Sequence, residues 1–155
     1  MALEEKNEPA AAGRKRVVDL LARAERQELL EAWDKLAERP AVLPVRGPET
    51  GLVMVRGRMG GGGAPFNLGE VTVTRATVRL GSGTVGHAQA LGTDREKARL
   101  SAIFDALWQE PATQRFVEQM LLEPIAARVA DAERRKADET AATRVDFFTM
   151  VRGDD

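Results

Sequence analysis

At 155 residues the chain is long enough for one domain with a real core and too short for two. Its formal net charge of −1 lacks the basic excess that phosphate neutralisation demands, which speaks against a dedicated binder of nucleic acid or of a membrane surface. With no cysteine, disulfides, thiolate metal sites and cysteine catalysis are excluded together.

Aromatic residues make up only 5% and Tyr is absent, so Leu, Val, Ala and Met must fill the core. The opening MALEEKNEPAAAGRKR starts acidic and has no hydrophobic run, so no secretory signal is expected. No stretch approaches the ~18 apolar residues of a membrane span. The expectation is a soluble, cytoplasmic protein. Residues 1–13, small, polar and charged, read as a disordered leader, and residues 14–155 as a single domain.

From Arg14 to Arg39 the spacing is helical. Val17, Leu21 and Ala24 form one stripe and Leu29, Trp33 and Leu36 another. The polar stretch Arg23–Glu28 between them marks a corner, which predicts two helices or one bent helix. Pro40 stops the second stripe.

The character changes after Arg46. All but Gly13 and Gly153 of the 14 glycines fall between Arg46 and Gly92, where Lys is absent. Three runs there alternate and are rich in Val or Thr: residues 51–59, 70–80 and 83–92. In the second, the apolar phase slips by one between Val73 and Ala76, which predicts a bulge or bend. Gly81, Ser82 and Gly83 signal a tight hairpin.

Thr93 to Glu96 matches a capping box. Behind it Leu100, Ile103, Phe104, Leu107 and Trp108 make an amphipathic stripe that Pro111 ends. A further helix carries Phe116, Val117, Met120, Leu121, Ile125 and Val129, with Pro124 expected to kink or break it. Glu133–Glu139 reads as a solvated helix end. The segment VDFFTMV (145–151) is hydrophobic and β-like, and Phe147 and Phe148 predict that it binds a partner or the main sheet. The whole pattern predicts an α+β fold, a mostly antiparallel sheet of three or more strands with flanking helices.

The most unusual sequence is RGRMGGGGAPFNLGE (56–70). Gly60, Gly61, Gly62 and Gly63 carry a conformational-entropy cost. Their amides, with Arg56, Arg58 and Asn67, could cradle a phosphate; equally, the loop could be a hairpin connection or a close contact with a partner's backbone. It is not a Walker A loop, because no Gly-Lys-Ser/Thr follows and a strand comes next. Arg75 and Arg79 share one face of their strand, as do Arg56 and Arg58 of theirs. Guanidiniums clustered on one face suit phosphate or carboxylate recognition, while Glu49 and Glu70 are available to neutralise them. His87, the single histidine, is a weak candidate for proton transfer beside a structural role. Asp105, amid apolar neighbours, reads as a cap or surface residue. No nucleophile–base pair and no metal-ligand set can be assembled from the spacing, so no catalytic residue is assigned and no cofactor is expected on this chain alone.

The runs GLVMVRGRMGGGGAPFNLGEVTVTRATVRL, GTVGHAQALGTDREKA and VDFFTMVRG resemble the PhnG subunit family of the bacterial carbon–phosphorus lyase system, over roughly Arg14 to Gly153. The resemblance implies an accessory subunit of a core complex with PhnH, PhnI and PhnJ. With PhnH, PhnI and PhnL it would be required to transfer ribose triphosphate from ATP, a substrate of the complex, to methylphosphonate, displacing adenine. It also implies that the nucleosidase-type chemistry lies on PhnI and the radical step on PhnJ.

Overall fold

The computed structural model describes residues 8–143. In chain order these form α1 (Glu8–Arg23), α2 (Arg26–Asp34), β1 (Val42–Arg58), β2 (Pro65–Leu80), β3 (Val85–Leu91), α3 (Arg95–Trp108), α4 (Pro111–Val117) and α5 (Glu123–Ala142). The strands make one antiparallel sheet in the order β1-β2-β3, flanked in sequence by helices, which is the expected α+β architecture. Residues 145–151, with Phe147 and Phe148, lie outside the described residues.

Helix α1 begins at Glu8, so residues 8–13 are helical where composition predicted leader. Three consecutive alanines, the best helix formers, lie there. Val17, Leu21 and Ala24 are buried as their spacing requires. The predicted corner falls at Ala24 and Glu25, where the Glu25 N–H donates to Glu28 Oε2 at 2.7 Å. From α5, Arg128 clamps that corner, donating from Nε to Glu28 Oε1 (2.7 Å) and from its terminal nitrogen to the Arg23 carbonyl (2.9 Å).

Helix α3 is the centre of the core. Every residue from Leu100 to Leu107 is buried, and a helix apolar almost all round must be covered on every side. It lies on β2 and β3 so closely that a Cβ on Gly86 would sit 1.9 Å from the Ala102 carbonyl oxygen. Its cap is Asp94, whose carboxylate accepts the Lys97 N–H at 2.9 Å, one residue later than the capping box starting at Thr93 predicted. After α4 the chain passes through a single widened π turn, Glu118–Leu122, into α5. Pro124 cannot donate to the preceding turn, and the loosened ladder absorbs that loss without ending the helix. No helix among the described residues is long and apolar enough to cross a membrane.

The phase slip in β2 has a different origin from a bulge in that strand. Pairing with β3 is uninterrupted from Val73 to Arg79. Thr74, Ala76, Val78 and Leu80 all point to the helices, and Thr74 breaks the apolar pattern because its hydroxyl is engaged, with the Gly92 carbonyl at 2.7 Å and Thr50 Oγ1 at 2.9 Å. The irregular pairing near the base lies in β1, between Pro44 and Arg46 and between Arg46 and Glu49. Proline-bearing and bulged, this stretch is tolerated because β1 is an edge strand. One further irregularity falls farther along the same two strands, where Val55 pairs with Gly69 and Arg56 with Asn67 so that Leu68 of β2 is passed over.

Beyond Thr72 the helices no longer cover the sheet. The first part of β2 and the facing part of β1 continue as a two-stranded arm, on which every residue from Pro65 to Glu70 is exposed.

Candidate functional site

The glycine loop closes the far end of this arm. Met59–Gly61 form a single 3-10 turn in which Gly60 and Gly61 take φ of 59° and 78°, a region that glycine enters without strain. The loop satisfies part of its own polarity. Gly63 N–H donates to the Met59 carbonyl at 3.0 Å, and Arg58 donates to the Gly63 carbonyl at 3.2 Å. Asn67 stands opposite Arg56 on the neighbouring strand. Arg56 and Arg58 are exposed and make no ion pair among the described residues.

Arg75 and Arg79 lie at the other end of the sheet. Arg75 is opposite Glu49 on β1 and Gln89 on β3, and its guanidinium is 3.6 Å from the Glu49 carboxylate, which Arg46 also approaches at 3.6 Å. Arg79, opposite Leu43 and Val85, is exposed without an ion pair among the described residues. The pairs expected on single faces are confirmed by strand alternation, but the two pairs do not converge. Arg58 is opposite Pro65, and from Pro65 to Arg75 the extended chain covers roughly 30 Å at about 3.3 Å per residue. Alternation from the Thr50–Thr74 pair also sets Arg56 and Arg58 on the face opposite Arg75 and Arg79. A single triphosphate does not bridge that span within one copy of the chain.

His87 is an exposed residue of β3 whose Nδ1 lies 3.2 Å from Thr77 Oγ1. With Arg46, Arg75 and Gln89 it borders a shallow hollow on the sheet face turned away from α3. Its backbone explains Asp105. That carboxylate is fully buried, accepts the His87 N–H at 2.8 Å through Oδ2, and accepts Arg14 at 2.9 Å on the same oxygen. Asp105 is therefore a cap, as the sequence allowed, but for the margin of β3 rather than for a helix.

Two carboxylates away from the sheet are held below the usual range. Burial pushes Glu28 up, but Arg128, the Glu25 N–H and nearby positive charge outweigh it. Burial likewise pushes Glu118 up and is outweighed by Arg16 and by the Trp108 indole N–H, which donates at 2.7 Å. Both join helices to one another and stand apart from Arg56, Arg58, Arg75 and Arg79. Among the described residues no three His, Asp or Glu side chains come together as a metal-binding group.

What spacing did not reveal is the apolar surface of the arm. Leu52, Val53, Met54, Met59, Phe66 and Leu68 are exposed by between 43% (Phe66) and 77% (Met59). A signal existed in the unbroken apolar run 52–55, because only a strand covered on both faces needs one.

A family model described as "Phosphonate metabolism protein PhnG" matches residues 12–153. The chain belongs to that family. It is also 62% identical over 149 residues to a Rhizobium meliloti (strain 1021) protein named "Alpha-D-ribose 1-methylphosphonate 5-triphosphate synthase subunit PhnG", covering 96% of this chain and 95% of the relative. Its place is thus in phosphonate metabolism, within the PhnG family.

Proposed function

We propose that the chain is a non-catalytic subunit of the cytoplasmic carbon–phosphorus lyase core complex. It is required with PhnH, PhnI and PhnL for the transfer of ribose triphosphate from ATP to methylphosphonate. An oxygen of methylphosphonate takes C1′ of the ribose, the bond to the base breaks, and adenine leaves. PhnJ is the further sister subunit, and the assembly is a hetero-oligomer in which this chain alone binds no cofactor.

The observation that carries this reading is the separation of the basic groups. Arg56 and Arg58 stand at one end of the sheet and Arg75 and Arg79 at the other, on opposite faces. A surface of that kind serves contacts with other chains better than it serves one reaction centre. The test is adenine release from ATP plus methylphosphonate. The purified chain should release none, while the set of sister subunits should lose the activity when this chain is left out. Adenine release by the chain alone would refute the proposal.

A second reading has one observation in its favour. Arg56, Arg58 and Arg79 carry no carboxylate partner among the described residues, so one end of the sheet could complete a phosphate site formed mainly by another subunit. On that reading Arg56→Ala or Arg79→Ala leaves assembly intact and weakens ATP binding by the complex about tenfold or more. Unchanged ATP affinity in an assembled variant would remove it.

A further inference from the structure

We infer that the arm of residues 50–72 is a plug that seats in an apolar cleft with an acidic inner end on a different subunit of the synthase. The inference rests on the subunit reading above and adds the surface, the shape and the charge of the partner.

Three properties of the arm specify its receptor. The first is that its apolar side chains occupy both faces. Val53 lies opposite Val71 on one, while alternation sets Leu52 and Met54 on the other. A flat partner covers one face and leaves the other in water, so only a cleft that encloses the arm buries both. The second is charge. From Thr50 to Thr72 the sequence contains no Asp or Lys; its one carboxylate, Glu70, lies opposite Met54 toward the base, and the charged groups beside the tip are Arg56 and Arg58. Carboxylates at the inner end of the cleft complement them, whereas the tip of a second copy would bring guanidinium against guanidinium. The third is the tip. Gly60 to Gly63 present no side chains, so the turn can pass within backbone distance of a closed cleft floor. None of these residues serves the core, which lies among the helices, β3 and the end of β2.

Because the chain has no cysteine, Met59→Cys gives a single attachment point for a photo-crosslinker at the tip. The labelled chain is assembled with PhnH, PhnI and PhnJ, irradiated, and the linked peptide identified. The inference expects a link to one sister subunit, in a segment bordered by Asp or Glu. A link only to a second copy of this chain, only to its own residues 144–155, or to nothing in an assembled complex overturns it. Failure of the unsubstituted chain to assemble with any sister subunit is a separate result, and it refutes the subunit reading itself. In parallel, Leu52→Asp and Leu68→Asp should each weaken assembly roughly thirtyfold or more while leaving the melting temperature of the isolated chain unchanged. Arg56→Glu with Arg58→Glu should slow association and abolish its acceleration at low salt. Assembly indifferent to all four substitutions would also overturn the inference.

Discussion

The base of the molecule and its arm are built from neighbouring stretches of the same two strands, yet they obey different rules. At the base, β2 alternates strictly, with Ala76, Val78 and Leu80 buried against α3 while Arg75 and Arg79 face water. In the arm, the same strand exposes Phe66 and Leu68, and β1 exposes Leu52, Val53 and Met54 in succession. The difference teaches that the base is complete as a folded unit and the arm is not. Most apolar residues at the base are buried by the chain's own helices, with Leu43, Val45 and Leu91 exposed on the two outer strands, whereas the large apolar residues of the arm are covered by nothing among the described residues.

The contrast is tested most severely at Gly86. Any side chain there collides with the backbone of α3, which cannot rotate out of the way as a side chain could. Gly86→Ala should destabilise the isolated chain by about 3 kcal/mol, the upper end of the overpacking range, read from chemical denaturation. A cost near zero would show that helix and sheet can slide apart and that the base is not rigid.

Asp105→Ala should come next. It strands the buried His87 N–H and one cation, but Arg14 is partly exposed and can turn to solvent, so the loss should be about 2 kcal/mol rather than that of a fully buried pair. Arg128→Ala, at the helix corner, should cost about 1 kcal/mol, since its guanidinium is about a third exposed. The same contacts set a pH dependence. Glu28 and Glu118 are held below their ordinary range in the folded chain, so their contribution is present above that range, about pH 4.3, and is lost as pH falls through the depressed values. Stability should therefore be flat on this account from pH 7 to about pH 5 and fall below it, and Glu28→Gln should shallow that decline. The smallest effect belongs to the arm. Leu68→Asp should change the stability of the isolated chain by no more than about 0.5 kcal/mol. A larger loss would merge the two regions into one cooperative unit.

Much of the base could be read from sequence because its residues answer to one another locally. The stripes of α1, α2 and α3 and the hairpin at Gly81–Gly83 follow from spacing and turn chemistry alone. The start of β1 at Val42 was hidden by Pro44 and Pro48, which argue against a strand unless it lies at an edge, and edge position is a tertiary fact. Thr74 was misread as a break in phase because only the fold supplies Gly92 and Thr50 as partners for its hydroxyl. For the candidate site, alternation correctly paired Arg75 with Arg79 and Arg56 with Arg58. It could not separate the two pairs, because periodicity assigns a face and carries no information on where along a long hairpin each strand leaves the core.

The carboxylate of Asp105 occupies the outer margin of β3 at His87, and Arg14 and Gln109 both donate to the Val85 carbonyl beside it. Side chains thus occupy that margin at Val85 and His87, while β1, regularly paired with β2 from Glu49 to Val55, has no strand on its other side among the described residues. A sheet so occupied on one side accepts a neighbour more readily on the other. Stacking of copies strand upon strand into a fibre is thereby disfavoured, because a contact made through β1 meets on β3 a margin already taken at Val85 and His87. Buried between α3 and β3, one aspartate makes the two margins of the sheet unequal, one open along β1 and the other already engaged at its centre.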